Sequence, residues 1–318
     1  MSSAQPLLGG GAGILQRARE IARRYSVRDA LRFTRAASID QHYRSGWLAF
    51  LEALTAAHAL PPAGVDLLMK PLNPYLLLNL PVGERIRMLR NHYTMMVESA
   101  SPRAVAHIWR GDAFDASVLT GKTGSYMLLL GGTRAFLTRK EGETTLALRD
   151  EETHEVLAKV TFLLTQAPEG GRGVLIGGLQ GSRSDAAKQT IIRATRDLHG
   201  LRPRDAVLLG VFAIADQIGA RQAWAVSSAM HVHRARDKRQ QERLFADYDS
   251  VWLERGARGA LPFGWTFDVP VSPAPTGRNL QGQRRDALKE IVWRTARTAF
   301  AGTPDAAAVR CLAGAATG

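Results

Sequence analysis

Between Arg204 and Ile218 the chain reads as a helix that is apolar almost all the way round, with charge confined to its two ends. That segment limits what the rest can fold into. It falls short of the ~20 residues needed to span a bilayer, so its apolar surface has to be covered by protein, and a sheet is the natural cover.

The residues before it supply that sheet. After Gly111 the sequence breaks into short apolar runs separated by glycine: Ser125 to Leu130, Arg134 to Thr138, Thr144 to Leu148, Glu155 to Leu164 and Gly173 to Leu179. Gly131-Gly132, Glu141-Gly142-Glu143, Asp150 to Thr153 and Glu169-Gly170-Gly171 connect them, which predicts an antiparallel meander of about five strands. A helix at Ser184 to Leu198, the apolar helix, a strand at Gln222 to Ser227, a basic helix around Lys238 to Leu253 and a strand near Trp265 to Val269 follow. A last basic helix covers Arg284 to Phe300.

The first third is helical. Ile14 to Phe33 sets apolar residues along one face among arginines, Ile39 to His58 carries Trp47, Leu48, Phe50, Leu51 and Leu54, and Pro61-Pro62 ends that run. Val65 to Leu80 is a short apolar piece bounded by prolines; Val82 to Val97 returns to helical spacing, and Pro102 opens a turn toward Trp109. The reading is an α+β fold, an N-terminal helical region (1–110) packed on a mainly antiparallel sheet with helices (111–300), then an Ala/Gly-rich flexible tail (301–318).

Composition excludes several classes. Hydrophobic residues make up 45% and charged residues 22% of 318, ordinary for a globular chain and unlike a disordered one. The single cysteine, Cys311, allows neither an intrachain disulfide nor a cysteine-built zinc or iron–sulfur site. Met1 to Gly13 lacks a basic n-region and is broken by Gly9, Gly10 and Gly11, so a secretory signal is not expected and a cytoplasmic location is.

Forty-two basic against 29 acidic residues give +13. Three segments hold nearly all of it: Ile14 to Arg44 at +5, His231 to Arg243 at +3 and Arg278 to Arg297 at +4. Such stripes suit anionic lipid, a phosphorylated substrate or nucleic acid. Only seven of the 42 are lysine, so an arginine-rich composition serving solubility is the bland alternative.

Four segments could carry chemistry. Ile176-Gly177-Gly178-Leu179-Gln180-Gly181 ends a strand with three glycines, which lets a ligand or another backbone come close, or makes a plain turn. His199-Gly200-Leu201-Arg202-Pro203-Arg204 leads into the buried helix. Helix-start amides and the guanidiniums of Arg202 and Arg204 could converge there on a phosphate, with Gly200 at the turn; otherwise the arginines pair with Asp197 and Asp205. His231 and His233 share a face if the preceding strand persists. Neither a carboxylate nor a third histidine is near in sequence, so a metal is disfavoured, and either imidazole is a candidate general base or a structural histidine. Tyr248 and Trp252, four apart, are core residues or a catalytic tyrosine and its neighbour. Asp247 and Asp249 face apart. Neither a Gly-x-Ser-x-Gly elbow nor a His-Glu-x-x-His pair occurs.

Taken in order, Tyr43-Arg44-Ser45-Gly46-Trp47, Pro74-Tyr75-Leu76, His92-Tyr93, Ile176 to Gly181, Gly200 to Arg204, His231 to Arg234, and Asp247-Tyr248 with Trp252 resemble the VirK/YbjX family of proteobacterial proteins. The resemblance covers roughly Tyr43 to Phe300 and implies an association with virulence and cell-envelope remodelling. It brings no catalytic residues. An aromatic often stands in that family where His233 stands here.

The order of elements also looks like that of acyl-CoA N-acyltransferases of the GNAT type, with an extra helix at Ser184 to Leu198. By that analogy the broken strand leaves a cleft for pantetheine, Arg202, Arg204 and Gly200 hold phosphate, Tyr248 is the general acid and His231 the base, with acyl-CoA as co-substrate. The competing expectation is a non-catalytic basic module whose first helix lies on anionic membrane lipid, peripheral to the inner membrane. Nucleic acid ranks below it, since the stripes lack a reading motif or an interleaved aromatic platform.

Overall fold

The computed structural model describes residues 10–181, 185–235, 248–275 and 277–302. Their strands form one sheet: β1 (Ala113–Thr120), β2 (Ser125–Gly132), β3 (Thr144–Asp150), β4 (Val156–Gln166), β5 (Arg172–Gly181), β6 (Gln222–Val226), β7 (Arg258–Leu261) and β8 (Gly264–Asp268). The order is β1-β2-β3-β4-β5-β6-β8-β7. Every neighbouring pair is antiparallel except β5 and β6, which run parallel.

Helix α7 (Asp185–Asp197) and the apolar helix α8 (Pro203–Gln217) make the crossover between those two parallel strands, as a parallel pair requires. The all-round apolar character of α8 has a double cause. One side lies on β3, β4 and β5, and the other is covered by α10 (Leu280–Ala299). Gly210 lets α8 sit close, since a methyl there would overlap the Leu146 side chain on β3. Arg297 of α10 donates to Asp216 at 2.7 Å and fixes the C-terminal end of α8.

The opposite sheet face carries the N-terminal helices α1 (Gly10–Arg24), α2 (Val27–Ile39), α3 (Ala49–Ala57), α4 (Val65–Met69), α5 (Val82–Ser99) and α6 (Pro102–Arg110), with α5 lying on β4. Beside a small apolar cluster of Leu129, Phe136 and Ala147, a larger one runs from Ile21 through the sheet to Phe300. Buried His92 of α5 accepts from the Leu164 amide of β4 at 3.0 Å, so helix and strand are joined by a polar contact inside that cluster. Helix α6 is delimited as expected. Ser101 caps it, Pro102 opens it, and Gly111 closes it in the left-handed region at φ 73°.

Several boundaries differ from expectation. The single helix expected over Ile14 to Phe33 is two, because Ser26 is extended (φ −158°) and its hydroxyl accepts from the Asp29 amide to cap α2. Ile39 to His58 divides into a π-helical turn at His42–Leu48 and α3. Arg134 to Thr138 is a compact turn, not a strand, with Leu137 at φ 59°. The meander instead gains β1, whose alternation is broken by a register shift between Asp115 and Ser117. The strand ahead of His231 stops at Val226, and His231 pairs only with Leu77 in an isolated bridge. The basic helix expected from Lys238 is described from Tyr248 onward as α9 (Tyr248–Leu253). The segment 236–247, Asp247 included, and most of the tail lie outside the described residues.

Candidate active site

Strands β5 and β6 stay paired only from Val174 to Ile176, opposite Ala223 to Ala225. Past Ile176 they part. The cause is on the other edge of β5, where Ile176 pairs with Phe162 and Gly178 with Thr161, leaving Gly177 as an extra residue in a β-bulge. Glycine is required there because a methyl at Gly177 would overlap the Glu141 carbonyl oxygen, and one at Gly178 would overlap the Glu141 carboxylate. The turn before β3 therefore presses its acidic side chain onto the broken strand.

Glu141 is 1% exposed. It accepts from the Gln180 amide nitrogen at 2.6 and 2.7 Å, and its Oε1 lies 3.1 Å from His233 Nε2 and 3.9 Å from His231 Nε2. A carboxylate accepts only, so His233 donates through Nε2, and Nδ1 is the ring nitrogen left over. That Nδ1 is buried and makes no hydrogen bond among the described residues. A carboxylate fixing a histidine tautomer with the other ring nitrogen open is the arrangement of a general base.

His231 is placed differently. Its Nδ1 accepts from the His233 backbone amide at 3.3 Å. Burial pulls its pKa below the ordinary value, with Glu141 and the Gly177 carbonyl opposing and His233 assisting, so the ring is neutral at pH 7. Its rings form a column: His233 to His231 at 5.1 Å, His231 to Tyr248 at 5.0 Å and stacked, Tyr248 to Trp252 at 5.8 Å and stacked. The expected pairing of His231 with Tyr248 is thus one of contact. The base geometry belongs to His233, because the ring nitrogen of His231 that could take a proton already receives a backbone bond.

Tyr248 is held from the turn that follows β6. Ser228 Oγ accepts from the Tyr248 amide at 3.0 Å, and the Ser228 amide donates back to Asp249 at 3.2 Å. Trp265 Nε1 also donates to Asp249, at 2.6 Å, and Trp252 Nε1 donates to the Val226 carbonyl at 3.0 Å. Asp249 is therefore a structural anchor for the start of α9.

The turn from Gly200 to Arg204 lies at the same end of β5. Arg204 lies over Gly181, its guanidinium about 3.1 Å from where a methyl would stand, and Gly200 takes φ 92° beside Arg285. Arg202 is exposed. Pro203 has no amide hydrogen, and the Asp205 and Ala206 amides both donate to the Arg202 carbonyl at 3.0 Å, so attraction for an anion there rests on the guanidiniums more than on helix-start amides. The pairing considered for these arginines takes other partners. Asp205 pairs with Arg255 at 3.0 Å, tying α9's end to the start of α8. Asp197 accepts from the Thr123 amide and hydroxyl at 2.8 Å and from the Gly124 amide at 3.1 Å. Burial would raise its pKa, but those bonds prevail and hold it below the usual carboxylate range.

Sequence reasoning missed Glu141, Gln180 and the second acid, Glu143. The two acids sit in the glycine-containing connector before β3 and Gln180 in the glycine-broken end of β5, and the one available signal was the pair of carboxylates flanking Gly142. Among the described residues no group of three or more His, Cys, Asp or Glu is arranged to hold a metal, and no helix is long and apolar enough to cross a membrane.

Comparison with known proteins places the chain in a family. A family model described as "Protein of unknown function (DUF535)" matches residues 22–289. The chain belongs to that family. The chain is also similar to the "Uncharacterized protein YbjX" of Escherichia coli (strain K12), 32% identical over 184 residues, which is 58% of this chain and 55% of the relative's length. The VirK/YbjX resemblance is thereby confirmed. Among solved structures, the DUF535 chain matches the "cAMP-binding acyltransferase from Mycobacterium smegmatis" at 16% identity and a TM-score of 0.26, over 69% of this chain and 62% of that one. A point variant of the same protein matches at 13% identity and a TM-score of 0.28, over 67% and 61%.

Proposed function

We propose that this DUF535 chain transfers an acyl group from an acyl-CoA to an amine or hydroxyl acceptor in the crevice where β5 and β6 part. The observation that carries the reading is the Glu141–His233 pair, set with an open imidazole nitrogen against a β-bulge at the one parallel pair of the described sheet. Ligands of open α/β sheets sit outside the carboxyl ends of such strands. His233 Nδ1 takes the acceptor's proton as its nitrogen or oxygen attacks the thioester carbonyl. The carbon–sulfur bond breaks, and the Tyr248 hydroxyl gives its proton to the departing thiolate. Arg202 and Arg204 hold the donor's phosphates, and His231 lies between His233 and Tyr248, tilted against the first and stacked on the second, and keeps them in register. A CoA donor implies a cytoplasmic site, and the family resemblance implies an acceptor from the cell envelope.

Thiol release from a panel of acyl-CoAs with amine and hydroxyl acceptors tests this. His233→Asn is expected to lower turnover roughly 100-fold or more, as loss of a general base does. Acceptor-independent release, or a His233→Asn protein of unchanged turnover, would contradict it.

A second reading rests on α1 and α2. They expose Leu15, Val27, Leu31 and Ile39 on helices that also expose Arg19, Arg23, Arg24, Arg28 and Arg35. Apolar and cationic residues presented together suit the surface of an anionic membrane, and this helix pair would hold the protein there.

A further inference from the structure

A cavity of about 560 Å³ lies on the N-terminal side of the molecule, within the ~300–1,000 Å³ range of small-molecule sites. Its lining is distinct from the crevice. Trp109, Ile108, Tyr75, Pro61 and Pro62 give it apolar walls. At the floor, buried Lys70 pairs with Glu143 at 2.8 Å and donates to the Gly142 carbonyl at 3.0 Å, while Tyr93 donates to the other oxygen of Glu143 at 2.5 Å. Lys70 and Glu143 thus balance each other's charge at the floor.

The rim is not neutral. Arg24 and Arg139 both pair with Asp66, at 2.9 and 3.0 Å, and Arg110 and Arg134 both pair with Asp112, at 3.7 and 2.8 Å. Each carboxylate is shared by two guanidiniums, so each triad keeps one surplus positive charge. The arginine side chains are 38–51% exposed, so the charge faces the opening.

We propose that this cavity binds a single-chain amphiphile with a phosphate or carboxylate head. The head meets the two arginine triads, whose planar forks match such oxygens and whose aspartates hold them in place. The chain lies along Trp109, Ile108 and the prolines. A free anion would leave those walls wet, and a neutral apolar molecule would leave the surplus charge unused. The site stands on its own observations and is independent of the acyl-transfer reading.

Calorimetry with octyl phosphate, octanoate, 1-octanol and inorganic phosphate tests it. Octyl phosphate is expected to bind at least tenfold more tightly than either 1-octanol or inorganic phosphate; octanoate binding shows whether a carboxylate head suffices. Arg134→Gln/Arg139→Gln should weaken octyl phosphate at least tenfold, and Arg294→Gln, on the exposed side of α10, should not. If the double variant melts early, Arg110→Gln, the most exposed of the four, is read in its place. Equal affinity for 1-octanol or inorganic phosphate, no octyl phosphate binding at millimolar ligand, or rim variants that bind as wild type would overturn the proposal.

Discussion

Glu141 and Glu143 flank Gly142, and their buried carboxylates serve separate sets of partners: Gln180 and His233 for the first, Lys70 and Tyr93 for the second. Gly142 stands at φ 152°, where a methyl would press on the Phe162 backbone. One short connector thus feeds an acid to the crevice between β5 and β6 and another to the floor of the N-terminal cavity.

The two glycines under Glu141 should respond differently to substitution. Gly177→Ala sets a methyl against backbone that is itself pinned by the Leu76 amide bond to Lys140 at 2.7 Å, and should lose about 2–4 kcal/mol of stability. Gly178→Ala displaces the far end of a side chain. It should lose about 1–2 kcal/mol and yet lower turnover steeply, because the carboxylate moves away from His233. Urea denaturation beside turnover checks both, and equal stability loss would contradict the assignment of contacts.

Tyr248→Phe keeps the ring stacked between His231 and Trp252 and removes the hydroxyl. Turnover should fall while KM for the donor holds, the split expected of a group that acts only in the transition state. A raised KM with unchanged kcat would make Tyr248 a packing residue.

His92 makes the fold acid-sensitive. Burial, and then the nearby Lys70 charge, pull its pKa from 6.5 to about 3. Between those values the unfolded chain binds a proton that the folded chain refuses, so stability is fully kept above about pH 6.5 and declines as pH falls toward 3. The loss is on the order of 4 kcal/mol across that window. Urea midpoints at pH 7.5 and 5 should converge in His92→Gln relative to wild type. Equal slopes for the two proteins would refute the claim.

If α1 and α2 rest on a membrane, replacing Arg17, Arg19, Arg23 and Arg24 with Gln should weaken co-sedimentation with anionic vesicles, at roughly 1 kcal/mol per exposed arginine, and the binding should be salt-sensitive. Arg17 is held by Glu20 at 2.7 Å and Arg24 by Asp66, so most of the loss should trace to Arg19 and Arg23. Binding unchanged by the substitutions would leave that helix pair without a membrane role.

Much of the fold was legible because it follows from local pattern. The burial of α8 came from its unbroken apolar surface, and the start of α6 from Pro102. What failed lacked a pattern to read. β1 carries a bulge that erases its alternation, and Arg134 to Thr138 has strand-like composition but turns, with Leu137 in the left-handed region and 83% exposed. The division between α1 and α2 depends on one serine cap. At the site, His231, His233 and Tyr248 were visible as residue types. Glu141 was not, because its role is set by a contact 92 residues away in sequence with His233.

The central claim is that the crevice between β5 and β6 takes an acyl-CoA, and titration calorimetry with CoA tests it most directly. The wild-type protein is expected to bind CoA below millimolar concentration. The Arg202→Ala/Arg204→Ala protein should bind at least tenfold more weakly, since each charge-assisted contact contributes roughly 1.5–3 kcal/mol. No binding at millimolar CoA, or equal binding by the double variant, would contradict it.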